Sequence, residues 1–105
     1  MKDMSAERKA NIMQYLDNGG RIVQLPKRQN ARRTVLQYLS EQFTPDHIYS
    51  EREVNDICNR WHTFDDYFLL RRELIDHGFL RRKKDGSEYW KTSDDRQIEE
   101  IPHKS

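Results

Sequence analysis

The stretch YSEREVNDICNRWHTFDDYFLLRRELIDHGFLRRKKDGSEYWK, Tyr49 to Lys91, decides the fold. Ser50-Glu51-Arg52-Glu53 has the pattern of a capping box, in which the Ser50 hydroxyl accepts from the Glu53 amide while the Glu53 carboxylate reaches back to the Ser50 amide. Val54, Ile57, Cys58 and Trp61 follow at steps of three and four, so the spacing predicts a helix with one apolar face. A second N-terminal signal follows directly in Thr63-Phe64-Asp65-Asp66, with Asp65 or Thr63 as cap and the acids beside the positive end of the helix dipole. That next helix is expected to place Tyr67, Leu70 and Leu74 on one face and to close at His77-Gly78, where glycine supplies a left-handed stop. Phe79 to Arg82 and Glu88 to Lys91 read as two short strands around Lys83-Lys84-Asp85-Gly86-Ser87, because Asp-Gly favours a tight turn with positive φ. Trp90 is expected to lie as a lid over the helices. Two capped helices leading straight into a hairpin with a basic tip is the order of a winged helix-turn-helix.

Upstream, Ile48 and Tyr49 form a very short extended piece, preceded by a helix whose buried face is Val35, Leu36, Leu39 and Phe43. Thr44-Pro45-Asp46 is expected to end that helix, since proline disfavours helical geometry in the residue before it. Arg21 to Leu25 alternates weakly before Pro26, which reads as a short edge strand or an extended connector. Ala6, Ala10, Met13 and Leu16, with Ile12 beside them, predict a first helix stopped at Gly19-Gly20, its thin apolar face either docked on the domain or shared with a second copy. The expected fold class is α+β: a winged helix-turn-helix with an additional N-terminal helix and a C-terminal two-stranded wing. The expected organisation is a flanking helix over 1–20, a winged-helix-like domain over 21–91 and a mobile polar tail over 92–105.

Composition sets the outer bounds. A chain of 105 residues and 12.8 kDa has room for one small core. Hydrophobic residues make up 34% and charged residues 35%, which leaves much of the chain as solvated surface. The net charge of +1 is far from the basic balance of an obligate non-specific nucleic-acid binder, so the distribution of charge has to carry any such function. Residues 18–40 hold Arg21, Lys27, Arg28, Arg32 and Arg33 with no acid, whereas residues 92–105 are predominantly acidic. Cys58 is the one cysteine, so an intramolecular disulfide is excluded and a reducing, cytoplasmic setting is the simpler expectation. The opening residues lack the apolar run of a signal peptide and no stretch is long enough to span a bilayer, so no membrane partner is expected.

In a winged helix the helix before the hairpin enters the major groove and the hairpin tip reaches a phosphate or the minor groove. The candidate nucleic-acid contacts are therefore Tyr67, Arg71, Arg72, Arg82, Lys83 and Lys84, joined by Arg28, Arg32 and Arg33 from the acid-free stretch. Asp65-Asp66 opposes that docking, because it puts negative charge at the helix end that would approach DNA first. Arg71 and Arg72 are expected to divide, one pairing with Glu53 or Glu73 and the other facing out. Cys58 and His62 lie four apart and would make half a zinc site, but Cys58 falls on the apolar face and is expected to be buried. No nucleophile with its base and no glycine-rich phosphate loop is present, so no catalytic group, cofactor or metal is expected and the chain is not read as an enzyme.

Three pieces, GGRIVQLPKRQNARRTVLQYL, YSEREVN and LRRELIDHGFLRRKKDGSEYW, resemble a bacterial family, the domain of unknown function numbered two thousand and eighty-seven. The resemblance covers most of Gly19 to Trp90. It implies a helix-turn-helix-like setting and a domain found alone or joined to transcription regulators, with no role assigned to any motif residue. Two functions are left open: a transcription-associated winged-helix protein that binds double-stranded DNA without catalysis, and an accessory protein-interaction or ligand-sensing domain on the same fold. The partners to match are duplex DNA, another regulator or a second copy of the chain.

Overall fold

A computed structural model describes residues 12–92. They form three helices, α1 (Gln29–Ser40), α2 (Glu51–Arg60) and α3 (Tyr67–Asp76), followed by the antiparallel pair β1 (Arg81–Arg82) and β2 (Tyr89–Trp90). The fold is α+β, and its element order is compatible with a winged helix. The three helices and β2 share one core, with Val35, Leu36 and Leu39 from α1, Val54 and Cys58 from α2, Leu70 and Leu74 from α3, Tyr89 from β2 and Leu80 from just before β1. Ile12, Ile22, Phe43 and Tyr49 fill it from the connecting segments.

The expected buried face of α1 is present, but the helix stops at Ser40, well before Pro45. Phe43 reaches the core from a turn whose amide bonds to the Ser40 carbonyl at 3.0 Å. The stop has a partner far along the chain: Lys91 Nζ donates to the Ser40 carbonyl at 2.8 Å and the Phe43 carbonyl at 3.4 Å. A cation there adds a second donor to the Ser40 carbonyl, beside the Phe43 amide, at the negative end of the helix.

α2 opens with the capping box read from the sequence, Glu53 N to Ser50 Oγ at 3.1 Å and Ser50 N to Glu53 Oε1 at 2.8 Å. Its far end is closed by Arg21, whose guanidinium donates to the carbonyls of Asn59 (3.3 Å), Arg60 (3.2 Å) and His62 (2.6 Å). The neighbouring Ile22 is fully buried, and its backbone bonds to Trp61 and Thr63 at 2.8 and 3.0 Å. The stretch read as an edge strand or connector is thus a connector, paired through Ile22 to Leu16 on one side and to the α2–α3 turn on the other.

The cap of α3 is Asp66, not Asp65 or Thr63: Asp66 Oδ1 accepts from the Leu69 amide at 3.1 Å. Asp65 instead takes a left-handed φ of 55°, a conformation aspartate tolerates better than most residues, and forms the bend before the cap. Tyr67 is 38% exposed, so the buried face of α3 is Leu70 and Leu74 without it. A side chain at the first helical position lies over the turn preceding it, and that turn is solvated. Gly78, at φ 80°, closes α3 with the paired bonds of a Schellman motif, Phe79 N to Leu74 O at 2.9 Å and Gly78 N to Ile75 O at 3.0 Å.

The hairpin pairs Arg81 with Trp90 and Arg82 with Tyr89, and Tyr49 adds a bridge to Tyr89 with two 2.8 Å bonds. Adjacent strand residues face opposite sides. With Tyr89 turned inward at 3% exposure, Trp90 is only partly buried, so the core residue of β2 is Tyr89 and not the expected Trp90. Of the predicted first helix, Ala6 and Ala10 lie outside the described residues, as do 93–105 of the predicted tail. Ile12 and Met13 are helical, and the helix has given way to a turn by Gln14, ahead of the expected stop at Gly19-Gly20. No helix among the described residues is long and apolar enough to cross a membrane.

Candidate functional site

The relation between α2 and α3 is set by His62. Its ring is 2% exposed, with Nδ1 at 2.7 Å from the Cys58 carbonyl and Nε2 accepting from the Asp66 amide at 2.7 Å. An acceptor role for Nε2 places the ring proton on Nδ1, which donates to Cys58. One side chain therefore satisfies a carbonyl in the last turn of α2 and the amide at the cap of α3, while Phe64 packs edge-on at 4.6 Å. Both ring nitrogens are engaged by the backbone, and Cys58 is fully buried with its thiol pushed up to about 12 by desolvation. This pair has a packing role, as the apolar phase of α2 indicates for Cys58.

That turn holds α3 beside the hairpin, and a groove of about 370 Å³ opens between them. Phe68, Arg71, Arg72, Ile75 and Asp76 line it from α3, Glu51 from the first turn of α2, and Arg82 and Tyr89 from the hairpin. Arg71 is its most fixed cation, with a side chain 14% exposed. Its Nη1 donates to Asn55 Oδ1 and stands 3.5 Å from Glu51 Oε2, and its guanidinium lies 5.1 Å from the centre of the Phe68 ring. The Tyr89 hydroxyl donates to Glu51 Oε1 at 3.3 Å, and its pKa is raised by burial first and by the Glu51 charge second. Arg82 curls over the hairpin tip, Nη1 donating to the carbonyls of Lys83 and Lys84 at 3.3 and 3.2 Å.

The predicted contacts separate into two groups. Arg71, Arg72 and Arg82 meet in the groove, with Lys83 and Lys84 at the exposed tip beside it and Tyr67 at the open end of α3. Arg72 is exposed, with Asp76 Oδ2 at 3.8 Å, and Lys83 faces Glu88 at 3.7 Å. The division of the two arginines is as expected, but Arg71 pairs with Glu51 rather than Glu53 or Glu73. Arg28, Arg32 and Arg33 lie apart from the groove. Arg32 is a strut: Nε donates to the Pro26 carbonyl at 3.0 Å and Nη1 meets Glu73 Oε1 at 3.1 Å, both side chains under one-fifth exposed. Glu73 also faces His77 Nε2 at 3.3 Å, and at about 100° per residue this flank of α3 is turned well away from the Phe68, Arg72 and Ile75 side. Arg33 stacks over Phe79 at 5.0 Å, and Arg28 is exposed beside a shallow depression with Asn30 and Thr34. Arg21, counted with the basic stretch, is committed to the end of α2.

Sequence reasoning missed Glu51, Phe68 and Tyr89 as groove residues, and Asn55 as the partner that holds Arg71. A signal existed for Phe68: with Leu70 and Leu74 as the buried face of α3, positions 68, 71, 72 and 75 form a second helical stripe directed elsewhere. Glu51 was hidden by its place inside the capping box, whose function needs only Ser50 and Glu53.

Fold and site together define a small α+β domain of three helices and a two-stranded antiparallel sheet, with an arginine-rich groove between its last helix and the hairpin. Residues 21–91 match the family DUF2087, described as an uncharacterized protein conserved in bacteria, and the chain belongs to that family. No curated protein and no solved structure matches the chain.

Proposed function

We propose that this chain is a transcription-associated winged-helix module that binds duplex DNA without catalysis, using the groove between α3 and the hairpin. The observation that carries the reading is the convergence of Arg71, Arg72 and Arg82 with the exposed Phe68 in one groove that opens at the Lys83-Lys84 tip. Guanidinium groups suit phosphate and guanine alike, and the hairpin supplies further phosphate contacts. Asp65 and Asp66 favour an approach by the middle of α3 and the hairpin over one led by its N-terminus, since Asp66 is spent on capping and Asp65 on the bend. The link to transcription rests on the resemblance, which implies a domain joined to transcription regulators.

Binding to a random-sequence duplex, followed by fluorescence anisotropy at two salt concentrations, tests the reading. Three or four phosphate contacts give a slope of log affinity against log salt near −3, about −0.9 for each phosphate neutralised. Arg72→Ala and Arg82→Ala should each reduce that slope by about one. Absence of binding at low salt would reject DNA as the ligand. An accessory interaction role draws support from a separate cavity of about 670 Å³, lined by Ile12, Leu16, Tyr38 and the 65% exposed Met13 together with the polar Asp17, Asn18 and Glu41. A stable dimer or a co-purifying protein lost on Met13→Asp would favour that role.

A further inference from the structure

We propose that Arg71, Arg82 and the Tyr89 hydroxyl form a phosphate seat that Glu51 fills when the groove is empty, so that Glu51 is the internal competitor any incoming phosphate must displace. The inference deepens the DNA-binding reading and depends on it for the source of the phosphate.

Four observations carry it. First, Arg71 is held by Asn55 independently of Glu51, so its guanidinium stays aimed into the groove when the carboxylate leaves. Second, the contacts that retain Glu51 are long: 3.5 Å to Arg71 and 3.3 Å from the Tyr89 hydroxyl, where charge-assisted bonds close to about 2.7–2.9 Å. Third, the Glu51 side chain is 48% exposed and stands outside the Ser50–Glu53 cap, so it can rotate into solvent while the start of α2 stays closed. Fourth, Gly86 brings the hairpin turn directly over the seat. A Cβ there would stand 3.4 Å from Glu51 Oε1, 3.9 Å from Arg82 Nη1 and 4.0 Å from the Tyr89 hydroxyl oxygen. The Arg82 bonds to the Lys83 and Lys84 carbonyls are also long, at 3.3 and 3.2 Å, and leave that side chain free to turn inward.

The logic is exchange of one anion for another. A half-buried guanidinium without a counter-charge is costly, and Glu51 supplies one while no ligand is present. A phosphodiester carries the same single charge with better acceptor geometry, so the swap leaves Arg71 paired throughout.

The test compares Glu51→Gln with wild type for a random-sequence duplex by anisotropy, and for millimolar inorganic phosphate by thermal shift. Asp56→Asn, an exposed acid on α2, controls for net charge. Glu51→Gln should tighten DNA binding about three- to tenfold, Asp56→Asn less than about twofold, and the gain should vanish when Arg71→Gln is added, as expected for coupled neighbours. Glu51→Asp, which keeps the charge but shortens the side chain, should give a smaller gain and covers any loss of stability in Glu51→Gln. Equal effects of Glu51→Gln and Asp56→Asn, or a gain that survives Arg71→Gln, would overturn the seat. If no variant binds DNA but phosphate raises the Tm of Glu51→Gln alone, the seat stands with free phosphate as its ligand and the DNA reading falls. If neither ligand responds to Glu51→Gln, the seat falls whatever the wild type binds.

Discussion

Replacing His62 tests the account of how α2 and α3 are joined. Two backbone groups depend on its ring, the Cys58 carbonyl and the Asp66 amide, each at 2.7 Å, and the ring itself is 2% exposed against Phe64. His62→Phe keeps an aromatic ring in the cavity but leaves the Asp66 amide without its partner and the Cys58 carbonyl with only the Trp61 amide at 3.2 Å. An unsatisfied buried polar group costs about 1–3 kcal/mol, and the Asp66 amide is part-buried while the Cys58 carbonyl keeps the Trp61 donor, so a loss of about 1–3 kcal/mol is expected. His62→Ala adds an internal void and should cost about 3–5 kcal/mol. For a domain of this size each kcal/mol corresponds to roughly 4–8 °C in Tm. Urea unfolding followed by tryptophan fluorescence, from Trp61 beside His62 and from Trp90 in the hairpin, measures the change directly. The midpoint should fall while the slope stays constant, marking lost stability without a change in surface exposed. A His62→Phe protein within about 1 kcal/mol of wild type would refute the bridge, because packing alone would then account for the buried histidine.

Three further outcomes follow from the geometry. Arg71→Ala should cost about 1–2 kcal/mol in chemical denaturation, through the lost Asn55 bond and Phe68 contact, whereas Arg72→Ala, with only an exposed 3.8 Å pair to Asp76, should stay within about 0.5 kcal/mol; equal losses would contradict the division. Cys58, with its thiol raised to about 12, should resist aromatic disulfide reagents at pH 8 in the folded protein and react freely in urea, so rapid native labelling would contradict its burial. Asp85 accepts from the Ser87 amide at 2.9 Å, chiefly for which its carboxyl titrates below the ordinary 3.8. Its contribution to the turn is complete above that value and fades as pH falls through the lower folded one, so the Ser87 amide resonance should titrate below pH 3.8 and become insensitive there in Asp85→Asn.

What was readable in the sequence was local. The capping box at Ser50-Glu53, the glycine stop at Gly78 and the Asp-Gly turn each depend on a few adjacent residues, and all three appear where the pattern placed them. The cap of α3 slipped by one residue because consecutive aspartates offer equivalent side chains, and only the left-handed backbone at Asp65 distinguishes bend from cap. α1 ends at Ser40 in a tight turn that Lys91, half the chain away, fastens, and no pattern around Pro45 registers that contact. The candidate contacts were harder still. Basic residues are alike in sequence, yet Arg32 is bound to Glu73 and Pro26, Arg21 to the α2 carbonyls, and Arg82 remains at the surface. The groove depended on Glu51 and Tyr89 meeting Arg71 across three elements, a coincidence that periodicity within one helix does not encode.

Arg21 and Lys91 are also the first and last residues of the family match, and each fastens a helix end distant in sequence. The domain is thus tied at its margins, like a belt whose two ends hold the buckle. A fragment beginning at Tyr49 would keep both helices and the hairpin of the stretch that decides the fold, but lose Ile22 and Arg21 from the turn and deprive Lys91 of the carbonyls it binds. Assembly must therefore wait for closure of a loop of about forty residues, so a short helix-turn-helix behaves in folding as a long-range structure. In synthesis from the ribosome, Lys91 is the last of these clasps to emerge, and until it does the end of α1 is held only by local bonds such as that of the Phe43 amide to the Ser40 carbonyl.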